Sequence, residues 1–214
     1  MKIAIIGASG NIGSRIMHEA LSRGHEVTAI VRHPEKLTLE NESLVVTKGD
    51  ALDAEDLAAK IEGHDAVVVS YSTGWGPGTD YTNHSRVAEA VISAAKKAGV
   101  KRLLNVGGAG SLYVAPGLQA VDTPDFPADW KEGALAQRDS LEIYRNEKGL
   151  EWTFFSPAFM IGPGERTGKF RLGTENPVVD EKGESNISYE DYAVAVIDEL
   201  EKPQFIRQRF TIGY

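Results

Sequence analysis

Short apolar runs alternate with longer amphipathic stretches along the whole chain. The predicted strands are the runs of β-branched, aliphatic and aromatic residues at 2–6, 26–31, 43–47, 65–70, 101–106, 151–155 and 208–212. Helical spacing and capping residues predict helices at 14–23, 53–62, 81–98, 131–148 and 188–200. Strands that alternate with helices of this length predict an α/β fold, with a doubly wound, mainly parallel sheet and helices on both faces.

Local signals mark several helix ends. Asp53 and Ser188 each precede a helix and have an acidic residue three positions later, which is the spacing of a capping box. Gly63 and Gly99 follow helices, as glycines that end helices do. The segment 156–187 is rich in glycine and proline and has no clear period. We expect it to form loops and short strands, a small C-terminal lobe on the substrate side of a single domain that spans residues 1–214.

Three glycines follow the first predicted strand in G-x-x-G-x-x-G spacing, at Gly7, Gly10 and Gly13. Glycines there permit a sharp turn, let backbone N–H groups approach a pyrophosphate, and let the following helix pack closely on the strand. A strand–turn–helix without any ligand is the alternative. The position of the turn, at the start of an alternating strand and helix chain, favours nucleotide binding.

Composition narrows the function classes. The 214 residues are 42% hydrophobic and 25% charged, as in ordinary soluble globular proteins. The chain has 23 basic and 31 acidic side chains, a formal net charge of −8, which argues against nucleic-acid and anionic-membrane partners. It contains no cysteine, so disulfides, thiolate nucleophiles and cysteine-based zinc sites are excluded.

Two features that the sequence lacks bear on metal binding and on localisation. The five histidines have no metal-ligand spacing, so we expect no metal site; His84 is the one that falls near the predicted cleft. No apolar run approaches the ~20 residues of a membrane span, and the N-terminus enters a strand directly. We therefore expect a cytoplasmic protein.

The tip of the second predicted strand indicates which nucleotide binds. Arg32 lies there, where an acidic residue would accept the ribose hydroxyls of NAD, and Lys36 follows within one turn. A guanidinium suits a 2′-phosphate, so NADP(H) is favoured over NAD(H); solvated loop charges are the alternative. Asp50 follows the third strand. Its carboxylate either accepts a hydrogen bond from the adenine amino group or caps a helix or turn.

Ligands of such sheets bind at the carboxyl ends of the strands, where the strand order reverses. Residues 70–72 are expected along the pyrophosphate–ribose bridge and residues 107–109 near the nicotinamide. The full set of predicted cofactor contacts is Gly7, Ser9, Gly10, Asn11, Ile12, Arg32, Lys36, Asp50, Ala51, Ser70, Tyr71, Ser72, Gly107, Gly108, Ala109 and Pro157.

Several sequence strings resemble one protein family. They lie at 6–13, 31–32, 49–50, 65–68, 106–112, 125–127, 162–168, 187–193 and 209–211. Together they resemble the atypical short-chain dehydrogenase/reductase group, in its NAD(P)H-binding, NmrA-like branch, and most closely bacterial proteins labelled NADH-flavin reductases. A more distant likeness is to biliverdin-IXβ/flavin reductase, in which residues matching Arg32 and Lys36 bind NADP. The resemblance implies a Rossmann-like fold and nicotinamide-dependent redox chemistry.

Most short-chain dehydrogenases use a Tyr-x-x-x-Lys pair as a proton relay. Tyr144 and Lys148 match that spacing, but they lie at the C-terminal end of their predicted helix. At the level where the pair is expected, the chain has Ala134 and Arg138. We interpret Tyr144 as a packing residue.

Without that relay, carbonyl–alcohol interconversion lacks a placed proton donor. Hydride transfer to a flavin-like or quinone-like acceptor needs mainly stacking geometry, so such small molecules are the expected acceptors. Ser111 and Tyr71 are the candidate catalytic residues. Further acceptor contacts are expected from Trp75, residues 108–109 and residues 157–159, and Arg166 and Lys169 could attract an anionic acceptor.

The alternative function is a non-catalytic NADP(H)-binding redox sensor of NmrA-like type, which regulates a partner protein. A sugar-nucleotide or isoflavone-type reductase fits less well, because the C-terminal lobe is small. Both a monomer and a homodimer are compatible with the sequence.

Overall fold

The structure, a computed structural model, describes residues 1–74 and 80–214. Its strands are β1 (Lys2–Ile6), β2 (Glu26–Val31), β3 (Leu44–Lys48), β4 (Ala66–Val69), β5 (Arg102–Val106), β6 (Tyr113–Ala115), β7 (Leu118–Gln119), β8 (Glu151–Ser156), β9 (Met160–Gly162), β10 (Arg171–Gly173), β11 (Asn186–Ser188) and β12 (Gln208–Gly213). Its α-helices are α1 (Asn11–Ser22), α2 (Ala54–Ile61), α3 (Asn83–Ala98), α4 (Ala128–Asn146) and α5 (Tyr189–Glu201), and 3-10 turns occupy Pro34–Lys36 and Ala120–Asp122.

Eight strands form one sheet in the order β10-β12-β8-β5-β4-β1-β2-β3. Every neighbouring pair is parallel except β10 and β12. The chain winds outward from β1 to β3, then crosses back to β4 and winds the other way, so the order reverses between β1 and β4. This is the topology of a Rossmann-like fold, as expected from the sequence. In such folds ligands bind in a crevice at the carboxyl ends of the strands, where the order reverses.

Helices cover both faces of the sheet. On one face, α1 and α5 enclose a core in which the Phe155 ring stacks between Tyr192 and Phe210, with centroids 4.1 and 3.8 Å apart. On the other face, α2, α3 and α4 pack over residues such as Leu103 and Phe154. Strand β4 is buried along its whole length, as a central parallel strand is. No helix within the described ranges is both long enough and apolar enough to span a membrane.

The predicted helix caps are confirmed. The Asp53 carboxylate accepts hydrogen bonds from the amides of Glu55 and Asp56. Ser188 Oγ accepts one from the Asp191 amide at 2.9 Å. Gly99 ends α3 at a φ of 71°, in the left-handed region that favours glycine.

The short strands were not predicted individually. β6 and β7 form a hairpin, β9 pairs with β11, and β10 joins the edge of the main sheet antiparallel to β12. Part of the segment 156–187 therefore extends the main sheet, and only β9 and β11 pair outside it. Strands of two or three residues carry too little periodicity to be recognised, because distant partners determine their pairing.

Candidate functional site

The glycine turn brings β1, the end of β4 and α1 into close contact. Gly7 has a φ of 83°, and a Cβ there would lie 2.3 Å from the Ser70 carbonyl oxygen. A Cβ on Gly13 would lie 2.2 Å from the Gly7 carbonyl oxygen. Both positions thus exclude side chains, and the first turn of α1 lies directly against the end of the sheet.

The N-terminus of α1 is open to ligands. Gly10 is the N-cap residue, and in the described part of the chain no side chain caps the helix and no acidic residue lies in its first turn. The amides of Asn11, Ile12 and Gly13 have no hydrogen-bond partner among the described residues, and Ser9, Gly10 and Asn11 are exposed. Unpaired N–H groups and the positive end of the helix dipole suit an anionic group.

A cavity of about 470 Å³ lies beside the carboxyl ends of β2 and β3. It is lined by Arg32, Lys48, Gly49, Asp50, Asp56 and Lys60. Lys60 is paired with Asp56, whereas Arg32 and Lys48 form no hydrogen bond or ion pair with any described residue. Two unneutralised cations therefore face this cavity.

Lys48 was missed by the sequence analysis, which considered Lys36 instead. Lys36 is exposed on the turn Pro34–Lys36 and is not among the residues that line the cavity. Lys48 is the register partner of Val31, so it stands beside Arg32 at the same sheet edge. Recognising it required the β2–β3 register.

Asp50 occupies the wall of this cavity and also caps a turn. Its Oδ1 accepts a hydrogen bond from the Leu52 amide at 3.0 Å. The neighbouring Ala51 is 8% exposed. The capping role that the sequence left open is therefore present, and the Asp50 side chain remains exposed to the cavity.

The residues after β4 continue the wall of the crevice. Ser70 donates its amide to Ile6 at 2.8 Å, and Ser72 Oγ accepts from the Gly74 amide at 3.1 Å. Tyr71 is half-buried, and this burial raises the pKa of its phenol. Trp75, a predicted acceptor contact, lies outside the described residues.

The glycines after β5 allow close packing. A Cβ on Gly107 would lie 2.0 Å from the Phe154 ring, and one on Gly108 would lie 2.9 Å from Gln137 Cβ. A Cβ on Gly110 would lie 2.7 Å from Ala134 Cβ. Ala109 is half-buried among them. The loop is therefore shaped by contact with β8 and α4.

Ser111 and Pro157 are both buried beside this loop. Ser111 is 2% exposed, and its Oγ accepts a hydrogen bond from Arg209 at 3.3 Å. Arg209 also pairs with Glu175. The Pro157 carbonyl accepts from the Thr211 hydroxyl at 3.3 Å. Ser111, a candidate catalytic residue, thus has an arginine partner from β12.

Tyr144 lies in the core. Its side chain is 0% exposed, its ring packs near Trp152 and Phe154, and its hydroxyl donates to Asn105 Oδ1 at 3.1 Å. Burial raises its pKa well above the ordinary value. The Lys148 ammonium donates to the Arg145 carbonyl at 2.9 Å. These are packing and helix-end contacts.

His84 lies in the first turn of α3 and is nearly buried. Its ring meets Tyr71 edge-on at 5.5 Å and stacks near Tyr81 at 6.3 Å between centroids. The Gln137 amide nitrogen lies 3.2 Å from Nδ1. Burial lowers the pKa of the imidazole, so the ring is neutral at pH 7.

Arg166, which the sequence offered as an attractor for an anionic acceptor, is paired within the protein. Its Nε and Nη2 atoms donate to the two carboxylate oxygens of Glu19 at 2.7 and 2.8 Å. Glu19 raises the pKa of Arg166, and Arg166 lowers that of Glu19.

Across residues 1–74 and 80–214, no group of three or more His, Cys, Asp or Glu side chains could hold a metal ion.

Comparisons with known proteins agree with this geometry. A sequence model described as NAD(P)H-binding matches residues 7–203. The chain is 44% identical to the protein YwnB of Bacillus subtilis over 215 residues, which cover 99% of this chain and 98% of YwnB.

Two solved structures are similar along the whole chain. A protein called "putative epimerase" from Bacteroides thetaiotaomicron has a TM-score of 0.92 and 46% identity, covering 100% of this chain and 96% of its own. A protein called "putative NADH-flavin reductase" from Streptococcus pneumoniae has a TM-score of 0.87 and 40% identity, covering 100% of this chain and 99% of its own.

Proposed function

Because the chain belongs to the NAD(P)H-binding family, we propose that it is a reductase that transfers a hydride from NADPH to a flavin-like or quinone-like acceptor. The observation that carries the proposal is the open end of α1 near Arg32, which forms no ion pair with any described residue. Both are at the carboxyl edge of the sheet, next to the crevice where the strand order reverses.

The pyrophosphate is proposed to bind at the first turn of α1. The amides of residues 11–13, which have no partner among the described residues, and the helix dipole supply hydrogen bonds and positive potential there. Gly7 and Gly13 support this assignment, because only small residues let the backbone come so close to the end of the sheet.

The preference for NADP(H) rests on Arg32. The guanidinium faces the cavity without an ion pair in the described part of the chain, and Lys48 stands beside it. The 2′-phosphate of NADP(H) would form a charge-assisted hydrogen bond with this guanidinium. Asp50 and Ala51 are proposed to contact the adenine.

The choice of acceptor rests on the surroundings of the expected nicotinamide position. Tyr144 is buried and bonded to Asn105, which supports a reaction without a tyrosine–lysine relay. When bound, NADPH supplies the hydride, and the residues after β4, β5 and β8 hold the acceptor against it and exclude water. A conjugated acceptor takes its remaining proton from water, so the requirement on the protein is positioning.

The acceptor is tested by following NADPH oxidation with FMN, riboflavin and menadione. Turnover with at least one of them is expected. NADPH binding without turnover for any of them contradicts the reductase and supports the alternative, a non-catalytic NADP(H) sensor.

Cofactor preference is tested with Arg32→Ala. We expect NADPH affinity to fall by about 1.5–3 kcal/mol, the range for a hydrogen bond to a charged group, with NADH affinity unchanged. Paired titrations of both cofactors measure this. Lys202→Ala, which removes a charge just after α5, is the control. An unchanged ratio of the two affinities in Arg32→Ala would remove the argument for NADP(H).

A further inference from the structure

His84 and Gln137 form a polar pair beside the crevice that the proposed reaction does not yet use. Gln137 reaches the pair from α4 and packs against Gly108 after β5, while His84 contacts Tyr71 after β4. The pair therefore bridges the ends of two neighbouring strands, at the edge where acceptor and nicotinamide are expected to meet.

The orientation of the Gln137 amide, with its nitrogen toward the ring, assigns a tautomer to His84. An amide nitrogen can only donate, so Nδ1 accepts and the ring proton resides on Nε2. His84 is 8% exposed, and among the described residues only Nδ1 of its ring forms a hydrogen bond. The Nε2–H group therefore has no acceptor in the described ranges and is available to an acceptor atom of a ligand.

We propose that the Nε2–H group of His84 donates a hydrogen bond to a carbonyl oxygen of the acceptor. This inference rests on the proposed function. The hydride brings two electrons from NADPH to the acceptor, NADP⁺ is released, and negative charge develops on that oxygen. His84 stabilises this charge and keeps its own proton, and water later protonates the reduced acceptor.

The surroundings of His84 suit a neutral donor. Burial is what lowers its pKa, and no charged side chain in the described part of the chain shifts it. The titratable groups against the ring are the phenols of Tyr71 and Tyr81. Because its pKa is lowered from the ordinary 6.5, the imidazole is neutral and keeps one N–H at pH 7 and above. The site selects acceptors with a carbonyl oxygen next to the position that receives the hydride.

The direct test is His84→Phe, which keeps an aromatic ring between the two tyrosines and removes the donor. We expect kcat with menadione and riboflavin to fall by about 10–100-fold, in line with the loss of one donor to a developing oxyanion. The dissociation constant of NADPH should stay within twofold. His18→Phe, an exposed histidine on α1, is the matched control and should keep the wild-type kcat.

Gln137→Glu gives a second test, the pH dependence of kcat. A purely structural role of His84 would not change this pH dependence. A carboxylate at this position accepts from Nδ1–H, so it raises the imidazole pKa and, in the neutral ring, leaves a lone pair on Nε2. We expect kcat of this variant to fall as pH rises from about 7 to 9, whereas wild type stays flat over that range. Long-range proton–nitrogen spectra of the NADP⁺ complex report the same tautomer change without turnover.

The outcomes distinguish the proposed role of His84 from the proposed reductase function. If wild type turns over and His84→Phe retains its full kcat, the inference is wrong while the proposed function stands. If wild type reduces no acceptor, the proposed function fails and this inference fails with it. If His84→Phe does not fold, the pH profile of Gln137→Glu decides, and a flat profile overturns the proposal.

Discussion

Two loops of this molecule carry an arginine that could attract an anion, and they differ in what surrounds it. Arg32, which follows β2, faces its cavity without a partner in the described ranges. Arg166 lies in residues 163–169, called here the strap, which runs along α1 and α5. Its guanidinium is engaged by Glu19, 147 positions earlier in the chain. Only the presence or absence of a distant carboxylate distinguishes a candidate ligand site from a structural contact.

Three backbone amides of the strap are also bound by carboxylates. The Gly164 amide donates to Glu190 at 2.9 Å, and the amides of Thr167 and Gly168 both donate to Asp191 at 2.8 Å. At the first turn of α1, by contrast, the amides have no partner among the described residues. Satisfied donors stabilise the fold, whereas unsatisfied donors at a helix end favour an anion. We therefore expect the strap to contribute to stability and the glycine turn to contribute to the proposed cofactor binding.

The largest expected effect comes from Gly13→Ala. The new methyl group would meet the Gly7 carbonyl at 2.2 Å, so we expect a loss of about 3 kcal/mol in the free energy of unfolding, as for overpacked sites, together with weaker NADPH binding. Gly10→Ala is the matched variant, because its Cβ would lie 3.4 Å from the same oxygen. It should lose about 1 kcal/mol or less. Urea denaturation measures both, and equal losses would contradict the packing argument.

Glu19→Gln tests the strap. It removes the charge that holds Arg23 and Arg166, and we expect a loss of about 2 kcal/mol with unchanged NADPH affinity. The folded-state pKa of Glu19 is lowered below its ordinary 4.5, so this stability is present above that value and is lost as pH falls through the folded pKa.

The difference between wild type and Glu19→Gln should therefore shrink as pH falls below 4.5 and through the folded-state pKa, in denaturation curves measured from pH 7 downward. Glu40→Gln, at an exposed glutamate with no ion pair among the described residues, should cost nothing measurable. A loss of NADPH affinity in Glu19→Gln would mean that the strap contributes to binding.

This contrast also explains how much the sequence could predict. The glycine turn, the Asp53 and Ser188 caps and the alternating strands depend on neighbours in sequence, and these predictions are confirmed in the fold. The pairing of Arg166 with Glu19, the contact between His84 and Gln137 and the position of Lys48 beside Arg32 depend on tertiary packing. No local sequence pattern encodes these contacts. The sequence alone therefore could not predict which charged side chains are paired within the protein and which face the cavity.

Tyr144→Phe tests the prediction that Tyr144 is a packing residue. The hydroxyl is bonded to Asn105 inside the core, so its removal should cost about 1 kcal/mol of unfolding free energy, the value for one hydrogen bond. Turnover with the preferred acceptor should be retained, because the side chain is 0% exposed. Loss of turnover in a variant with a normal melting curve would show that Tyr144 acts in the reaction.

The smallest effect concerns the two lysines near Arg32. Lys48 lines the cavity, whereas Lys36 lies outside it on the Pro34–Lys36 turn. Because an exposed charge contributes about 0.5 kcal/mol, Lys48→Ala should weaken NADPH binding about twofold, more at low salt than at high salt, and leave NADH binding unchanged. Lys36→Ala should have less effect in the same titrations. The opposite order would mean that the turn carrying Lys36 closes onto the bound cofactor, so that a cation that is unpaired in the free protein gains its partner only in the complex.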